Sequence, residues 1–256
     1  MEIALINNSE DQMRINKYIA NAGICSRRKA DELIANGNVK INGIIVEELG
    51  RNVAQGDVVE VNGRIIDHTH KNVYVAVNKP KGYITSMDDN KDRQTVADLV
   101  MDIPERLFPV GRLDYNTTGL LIMTNDGQMT YTLTHPKHEV YKTYVAKVAG
   151  VISDARISRL RRGVDIGGFV TSPAKVNVIK QMPRYALVEI KIREGKNRQV
   201  RKMFAAVGNK VQELQRTEIG QIKLGRLMEG HYRKMCIRDR SISALNPYVS
   251  LRPLSK

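Results

Sequence analysis

The chain has 256 residues, with 41 Lys and Arg against 27 Asp and Glu and a formal net charge of +14. At 42% hydrophobic and 27% charged it can bury one or two cores, which excludes a disordered or collagen-like chain. No run of about 18 apolar residues is present and Met1 to Asp11 lacks the make-up of a signal peptide, so the expectation is a cytoplasmic protein without a membrane partner, its charge calling for a polyanion.

Residues 1–12 carry a charge of −3 and precede the first structural pattern, so they read as an extension. From Met13 to Asp67 the charge nearly balances, eight basic residues against seven acidic. Ile15, Tyr18 and Ile19 make a short helical apolar face that Gly23 can close, and Ser26 can cap a second helix running to Ala35 and ending at Gly37. Next, Val39 to Ile41 and Ile44 to Val46 flank Asn42-Gly43, a two-residue hairpin signal, and Gly56-Asp57 precedes an alternating strand from Val58 to Val61. Arg27, Arg28 and Lys29 fall in the first turn of the second helix, where free N–H groups also attract phosphate. Three basic residues in a row are more often only a solvated face.

The spaced pattern from Ile15-Asn-Lys-Tyr-Ile-Ala20 through Gly23-Ile-Cys-Ser-Arg-Arg28 and Gly37-Asn-Val-Lys-Ile-Asn-Gly43 to Gly56-Asp57 resembles the S4 RNA-binding domain. The resemblance implies that the basic start of the second helix, Arg27, Arg28 and Lys29, lies against structured RNA. Cys25 sits at a small-residue position of the pattern and reads as a packed thiol.

Residues 68–72 are polar and non-periodic and read as a linker; their two histidines, His68 and His70, lack a third ligand nearby. With Cys25 and Cys236 as the only cysteines and five scattered histidines, neither a disulfide nor a metal is expected. Phosphate-cradling glycine motifs are missing too, so no cofactor is expected. From Val73 the texture is β-rich. Runs at Val73 to Val77, Leu120 to Met123, Val140 to Val148 and Tyr185 to Ile192 read as strands, whereas Ser153 to Arg162 and Asn197 to Val207 have helical spacing. The fold class expected is α+β: a small N-terminal domain over 13–67, then a domain over 73–233 built on a mainly antiparallel, mixed sheet.

Three stretches of the second domain carry chemistry: Asn78-Lys-Pro-Lys-Gly82, Gly111-Arg-Leu-Asp-Tyr-Asn-Thr-Thr-Gly-Leu-Leu121 and Glu194-Gly-Lys-Asn-Arg-Gln-Val-Arg-Lys202. Asp114 reads either as a turn residue ahead of an apolar strand or as a nucleophile or base kept ionised by neighbouring guanidinium. A carboxylate on a phosphate-binding face repels its ligand unless it has work to do, which favours the second reading. Arg198 and Arg201, at i and i+3, are expected to share a helix face, with Lys196 and Lys202 crowding its start: a solvated basic helix, or a cation for Asp114 with phosphate ligands around it.

These stretches together resemble the pseudouridine synthases, and within them the subfamily that joins an S4 domain to the catalytic domain and acts on ribosomal RNA. The Gly-Arg-Leu-Asp block at 111–114 is similar to the family's catalytic motif, and the blocks at 79–82 and 195–201 to its flanking motifs. His135-Pro-x-x-Glu139 followed by Tyr141-Lys-Thr-Tyr144 resembles the large-subunit branch, acting on 23S rRNA, rather than the small-subunit branch acting on 16S rRNA. The resemblance implies that Asp114 is the catalytic carboxylate, that Arg201 ion-pairs with it, and that Tyr144 stacks on the target uracil and serves as the final base. Arg112 would fill the space left by the extruded nucleotide. The blocks make Lys79, Lys196, Arg198 and Lys202 RNA contacts. The implied protein is a monomer acting on ribosomal RNA or the assembling large subunit.

The implied reaction breaks the N1–C1′ bond of a uridine, turns the uracil while it is held, and joins C5 to C1′. Asp114 can begin by attacking the sugar, attacking the ring or removing a sugar proton. A non-catalytic S4-type RNA-binding or ribosome-assembly factor is the rival reading; a glycosidase-like hydrolase lacks a second suitably placed acid. Gly230-His-Tyr-Arg233 fits the family's ending, but residues 235–240 read Met-Cys-Ile-Arg-Asp-Arg, which a sequencing adapter encodes in one frame. Residues 234–256 are therefore expected to be an artefactual tail. The basic excess gathers at 191–233, eleven basic residues against four acidic, so the catalytic domain is expected to hold the RNA backbone.

Overall fold

The computed structural model describes residues 13–67 and 71–235. The extension at 1–12, the histidines at 68 and 70 and the tail from Cys236 onward lie outside the described residues. The chain divides into two compact units, Met1–Asn72 and Val73–Lys256.

In the first unit, β1 (Met13–Arg14) leads into α1 (Ile15–Asn21), which buries Ile15 and Ile19. Ser26 starts α2 (Arg27–Ala35) by accepting the Lys29 N–H on its hydroxyl, satisfying one of the helix's free donors. The chain then forms β2 (Val39–Ile41) and β3 (Ile44–Ile45). Asn42 and Gly43 between them both have positive φ, 52° and 82°, the twist that a two-residue hairpin needs. β4 (Asn52–Val53) pairs with β1, and β5 (Val59–Val61) and β6 (Arg64–Ile66) complete an antiparallel sheet in the order β3-β2-β5-β6. A second hairpin turn of the same kind, Asn62-Gly63, joins the last two strands. Ile15, Ile19, Ala30, Ile34, Val39 and Val59 form the core, with Cys25 half-buried against it as a packed thiol.

The second unit opens with β7 (Tyr74–Lys79), β8 (Phe108–Pro109) and β9 (Thr118–Thr124). α3 (Gly127–Thr134) is capped by the Asp126 carboxylate, which accepts the Gln128 and Met129 N–H groups. There follow β10 (Lys142–Ala149), α4 (Asp154–Arg162) capped by Ser153, β11 (Lys175–Gln181) and β12 (Tyr185–Ile192). α5 (Gln199–Ala206), β13 (Val211–Ile219), β14 (Ile222–Lys223) and β15 (Tyr232–Lys234) end the described chain.

Among the described residues these strands make one mixed sheet in the order β11-β12-β10-β13-β9-β7-β15, with β14 on β13 and β8 on β9. Every neighbouring pair is antiparallel except β13 and β9, which meet in parallel over only two residue pairs, Gln215 with Thr118 and Arg216 with Gly119. The sheet thus has two antiparallel halves joined by a short seam. β7 and β9 are buried on both faces: Tyr74, Ala76, Leu120 and Ile122 pack towards α3, while Val75, Val77, Leu121 and Met123 pack on Val96, Val100 and Leu113. The other half buries Val188, Ile190 and Leu160 with Phe204 and Met203 of α5.

The α+β class and the mainly antiparallel sheet match the sequence expectation, and two boundaries differ. The last strand runs past Arg233: Lys234 pairs with Val75, and the Met235 N–H bonds the Tyr74 carbonyl, its side chain buried beside α3. The helix expected from Asn197 begins at Gln199, because Arg198 sits in the left-handed region at φ 52° and cannot belong to a right-handed helix.

Candidate active site

Asp114 sits on the turn that feeds β9, and the backbone around it is held at almost every residue. The buried Thr85 hydroxyl donates to the Leu113 carbonyl at 2.8 Å and accepts the Leu113 N–H at 3.1 Å. The Asp114 carbonyl accepts the Thr117 N–H at 3.0 Å, and the Tyr115 carbonyl accepts the Gly82 N–H at 2.9 Å. Arg201 donates to the Asn116 carbonyl at 2.7 Å, and Lys79 to the Thr117 carbonyl at 3.1 Å. Five consecutive residues are thereby fixed, while the Asp114 carboxylate itself makes no hydrogen bond or ion pair among the described residues. A turn residue kept for structure would spend its carboxylate on the backbone; this one leaves it unspent.

The carboxylate lines a cleft of about 550 Å³ together with Arg112, Tyr144, Lys196 and Arg198. That volume lies within the range of small-molecule sites. Apolar walls come from Val110, Leu133, Ile192 and Leu214. Tyr144, half-buried, packs against the cores of both halves of the sheet, so its ring stands at the seam beside Asp114's cleft.

Three expectations are corrected. Arg201 does not ion-pair with Asp114: among the described residues no carboxylate lies within 4 Å of it, and its guanidinium bonds the carbonyls of Asn116 and Val211. Burial and the neighbouring Arg198 push its pKa below the ordinary arginine value, while Asp114's charge acts the other way from beyond ion-pair range. Arg201 is therefore a loop anchor with an electrostatic bearing on Asp114. Arg198 and Arg201 do not share a helix face, since Arg198 precedes α5; the left-handed turn sends Arg198 to the cleft and leaves Arg201 outside its lining. Lys79 is no surface contact for RNA. It is fully buried, bonding the carbonyls of Pro80 and Thr117. Lys202 is exposed and lies outside the cleft lining.

Burial brings the Lys79 pKa down to about 8, against the opposing pull of Asp114 and Glu229. Between about pH 8 and 10.5 the unfolded chain then holds a proton that the folded chain lacks, so this group's contribution to stability rises with pH across that window. Lys79→Met should lose that rise. In guanidinium titrations its unfolding midpoint is expected to fall progressively behind the parent's from about pH 7.5 to 10, and a constant gap would refute the assignment.

Sequence reading missed Lys142, Arg193 and Arg216, all lining the cleft, and Thr85, which clamps Leu113. Arg193 closes one rim through a 2.8 Å ion pair with Glu139. Arg216 gave no signal, being one of six polar residues in the nine-residue β13. Among the described residues, no group of three His, Cys, Asp or Glu is placed to hold a metal ion, and no helix is long and apolar enough to cross a membrane.

The family model for RNA pseudouridylate synthase matches residues 73–206, and that for the S4 domain matches residues 13–59. The chain is 43% identical over 224 residues to ribosomal large subunit pseudouridine synthase B of Bacillus subtilis (strain 168), covering 87% of this chain and 91% of that protein. It is 41% identical over 226 residues to an uncharacterized RNA pseudouridine synthase of Aquifex aeolicus (strain VF5), covering 88% and 90%. A crystal structure of a pseudouridylate synthase is similar at 33% identity and a TM-score of 0.66, covering 91% of this chain and all of that one.

Proposed function

This chain belongs to the RNA pseudouridylate synthase family, with an S4 domain ahead of its catalytic domain, and we propose that it isomerises a particular uridine of 23S ribosomal RNA with Asp114 as the catalytic carboxylate. The observation that carries the reading is the unpartnered Asp114 carboxylate, held on a pinned turn in one cleft with Arg112 and Tyr144. The ribosomal target is supported by the S4 domain and by the large-subunit relative from Bacillus subtilis.

A uridine inside an RNA stem cannot reach a carboxylate in a cleft, so the nucleotide must be extruded, with the exposed Arg112 filling the gap it leaves. Asp114 then promotes cleavage of the N1–C1′ bond. Tyr144 stacks on the detached uracil, and the apolar walls keep it from escaping and limit attack by water. C5 bonds to C1′, the C5 proton leaves to a base for which the Tyr144 phenol is the candidate, and N1 ends protonated. The product is an isomer of the substrate, so the overall change calls for no redox partner or external group.

Unmodified 16S and 23S transcripts incubated with the full chain and mapped by carbodiimide-stop sequencing test this. A new stop in 23S RNA alone is expected; a stop only in 16S RNA overturns the large-subunit target, and none in either overturns the ribosomal reaction.

In the S4 domain, Lys29 is paired with Glu32 at 2.7 Å and Arg27 bonds the Asn16 side chain at 3.3 Å, leaving Arg28 as the guanidinium most available to phosphate. Arg28→Ala should weaken RNA binding and reduce the slope of log affinity against log salt by about 0.7 to 0.9. An unchanged slope would remove Arg28 from the interface.

A further inference from the structure

We propose that Lys142 and Arg216 form a subsite for an anionic oxygen of the substrate nucleotide, next to Tyr144. This rests on reading the cleft as the nucleotide site. Tyr144 on β10 is the register partner of Arg216 on β13, so the two side chains stand on the same face of the sheet. Lys142, two residues before Tyr144, faces the same way, and all three line the cleft.

Arg216 is only 4% exposed, yet among the described residues it has no ion-pair partner. Its Nε donates to the Leu120 carbonyl at 2.8 Å; Nη2 is enclosed without an acceptor, and Nη1 makes no hydrogen bond within the described fold. Among the described residues, Lys142 Nζ has a single acceptor, the Arg193 carbonyl at 3.3 Å. Burial and then the proximity of Arg216 lower its pKa, which marks two cations close together. Such a pair is costly to bury unless an anion joins it.

The cleft's own carboxylates do not serve. Glu139 is taken by Arg193. Glu194 accepts from the Ser172 N–H and the Gln199 amide. Asp114 lies beyond ion-pair range of both cations. The missing anion must come with the ligand, and a planar fork beside an ammonium suits an oxygen bearing charge. The nucleotide offers two: a non-bridging phosphate oxygen, or a uracil oxygen. The uracil takes the electron pair of the N1–C1′ bond when that bond breaks, holds it over its oxygens, and uses it to form the C5–C1′ bond.

Two measurements on the full chain separate these sources, using Lys142→Met, Arg216→Met and Arg216→Lys. Calorimetric binding of uridine 5′-monophosphate against uridine needs no turnover: a phosphate site makes the parent prefer the monophosphate by about tenfold, a preference lost in Lys142→Met. A uracil-oxygen site instead leaves binding of both ligands unchanged and lowers the single-turnover rate on the mapped RNA by about 100-fold. Arg216 also holds the Leu120 carbonyl, so if Arg216→Met does not fold, Lys142→Met and Arg216→Lys decide. Folded variants that match the parent in both measurements overturn the subsite. A parent that forms no pseudouridine while its monophosphate preference still depends on Lys142 overturns the activity and leaves the subsite standing.

Discussion

Replacing Asp114 with asparagine is expected to reduce pseudouridine formation by at least about 10⁴-fold while leaving RNA affinity within about threefold. The substitution keeps the shape of the side chain and removes only its charge and nucleophilicity. Its structural cost is small because the carboxylate makes no hydrogen bond or ion pair among the described residues; the turn is held through main-chain groups by Thr85, Gly82, Arg201 and Lys79. Any loss is therefore chemical. Single-turnover conversion of the mapped RNA, with thermal melts of both proteins, gives the answer. A variant that melts like the parent and retains more than about a tenth of its rate would remove Asp114 from the chemistry.

The features legible in the sequence are those in which one residue type has one local job. Asn42-Gly43 made a hairpin because both positions need positive φ, and Ser26 and Ser153 began helices because their hydroxyls satisfy free N–H groups. Arg112 and Asp114, two residues apart, and Tyr144, thirty residues further on, line one cleft. What could not be read depends on contacts across the fold. Lysine and arginine are normally surface residues, so nothing local marks Lys79 as a buried brace on the Thr117 carbonyl or Arg216 as an enclosed cation. The i, i+3 spacing of Arg198 and Arg201 implied a shared face, but Arg198 itself takes the left-handed conformation and the helix begins only after it. The parallel seam between β9 and β13 joins segments almost 100 residues apart, and no period within either strand announces it.

That seam is where a substitution of a single hydrogen should cost most. Gly119 has φ of +105° and faces Arg216 across the parallel pair; a Cβ there would lie 2.2 Å from the Arg216 carbonyl oxygen, 2.7 Å from its nitrogen and 2.9 Å from its carbonyl carbon. All three are backbone atoms of a buried residue, so no side chain can swing aside, and an L-residue is strained at that φ in any case. Gly119→Ala must push β9 from β13 at one of only two residue pairs that join the halves of the sheet. The Arg216 bond to the Leu120 carbonyl, which crosses the same seam, would be lost with it. Asp114 approaches the cleft from the β9 side and Tyr144 from the β10 side, so parting the seam also parts the two groups that the proposed reaction brings to one uridine. The expected loss of stability exceeds about 4 kcal/mol, with turnover falling even where the variant can be held folded. Guanidinium unfolding followed by far-ultraviolet circular dichroism, with single-turnover assays at low temperature, measures both. An alanine variant within about 1 kcal/mol of the parent and fully active would mean that the two halves of the sheet are not joined where the Gly119–Arg216 contact joins them.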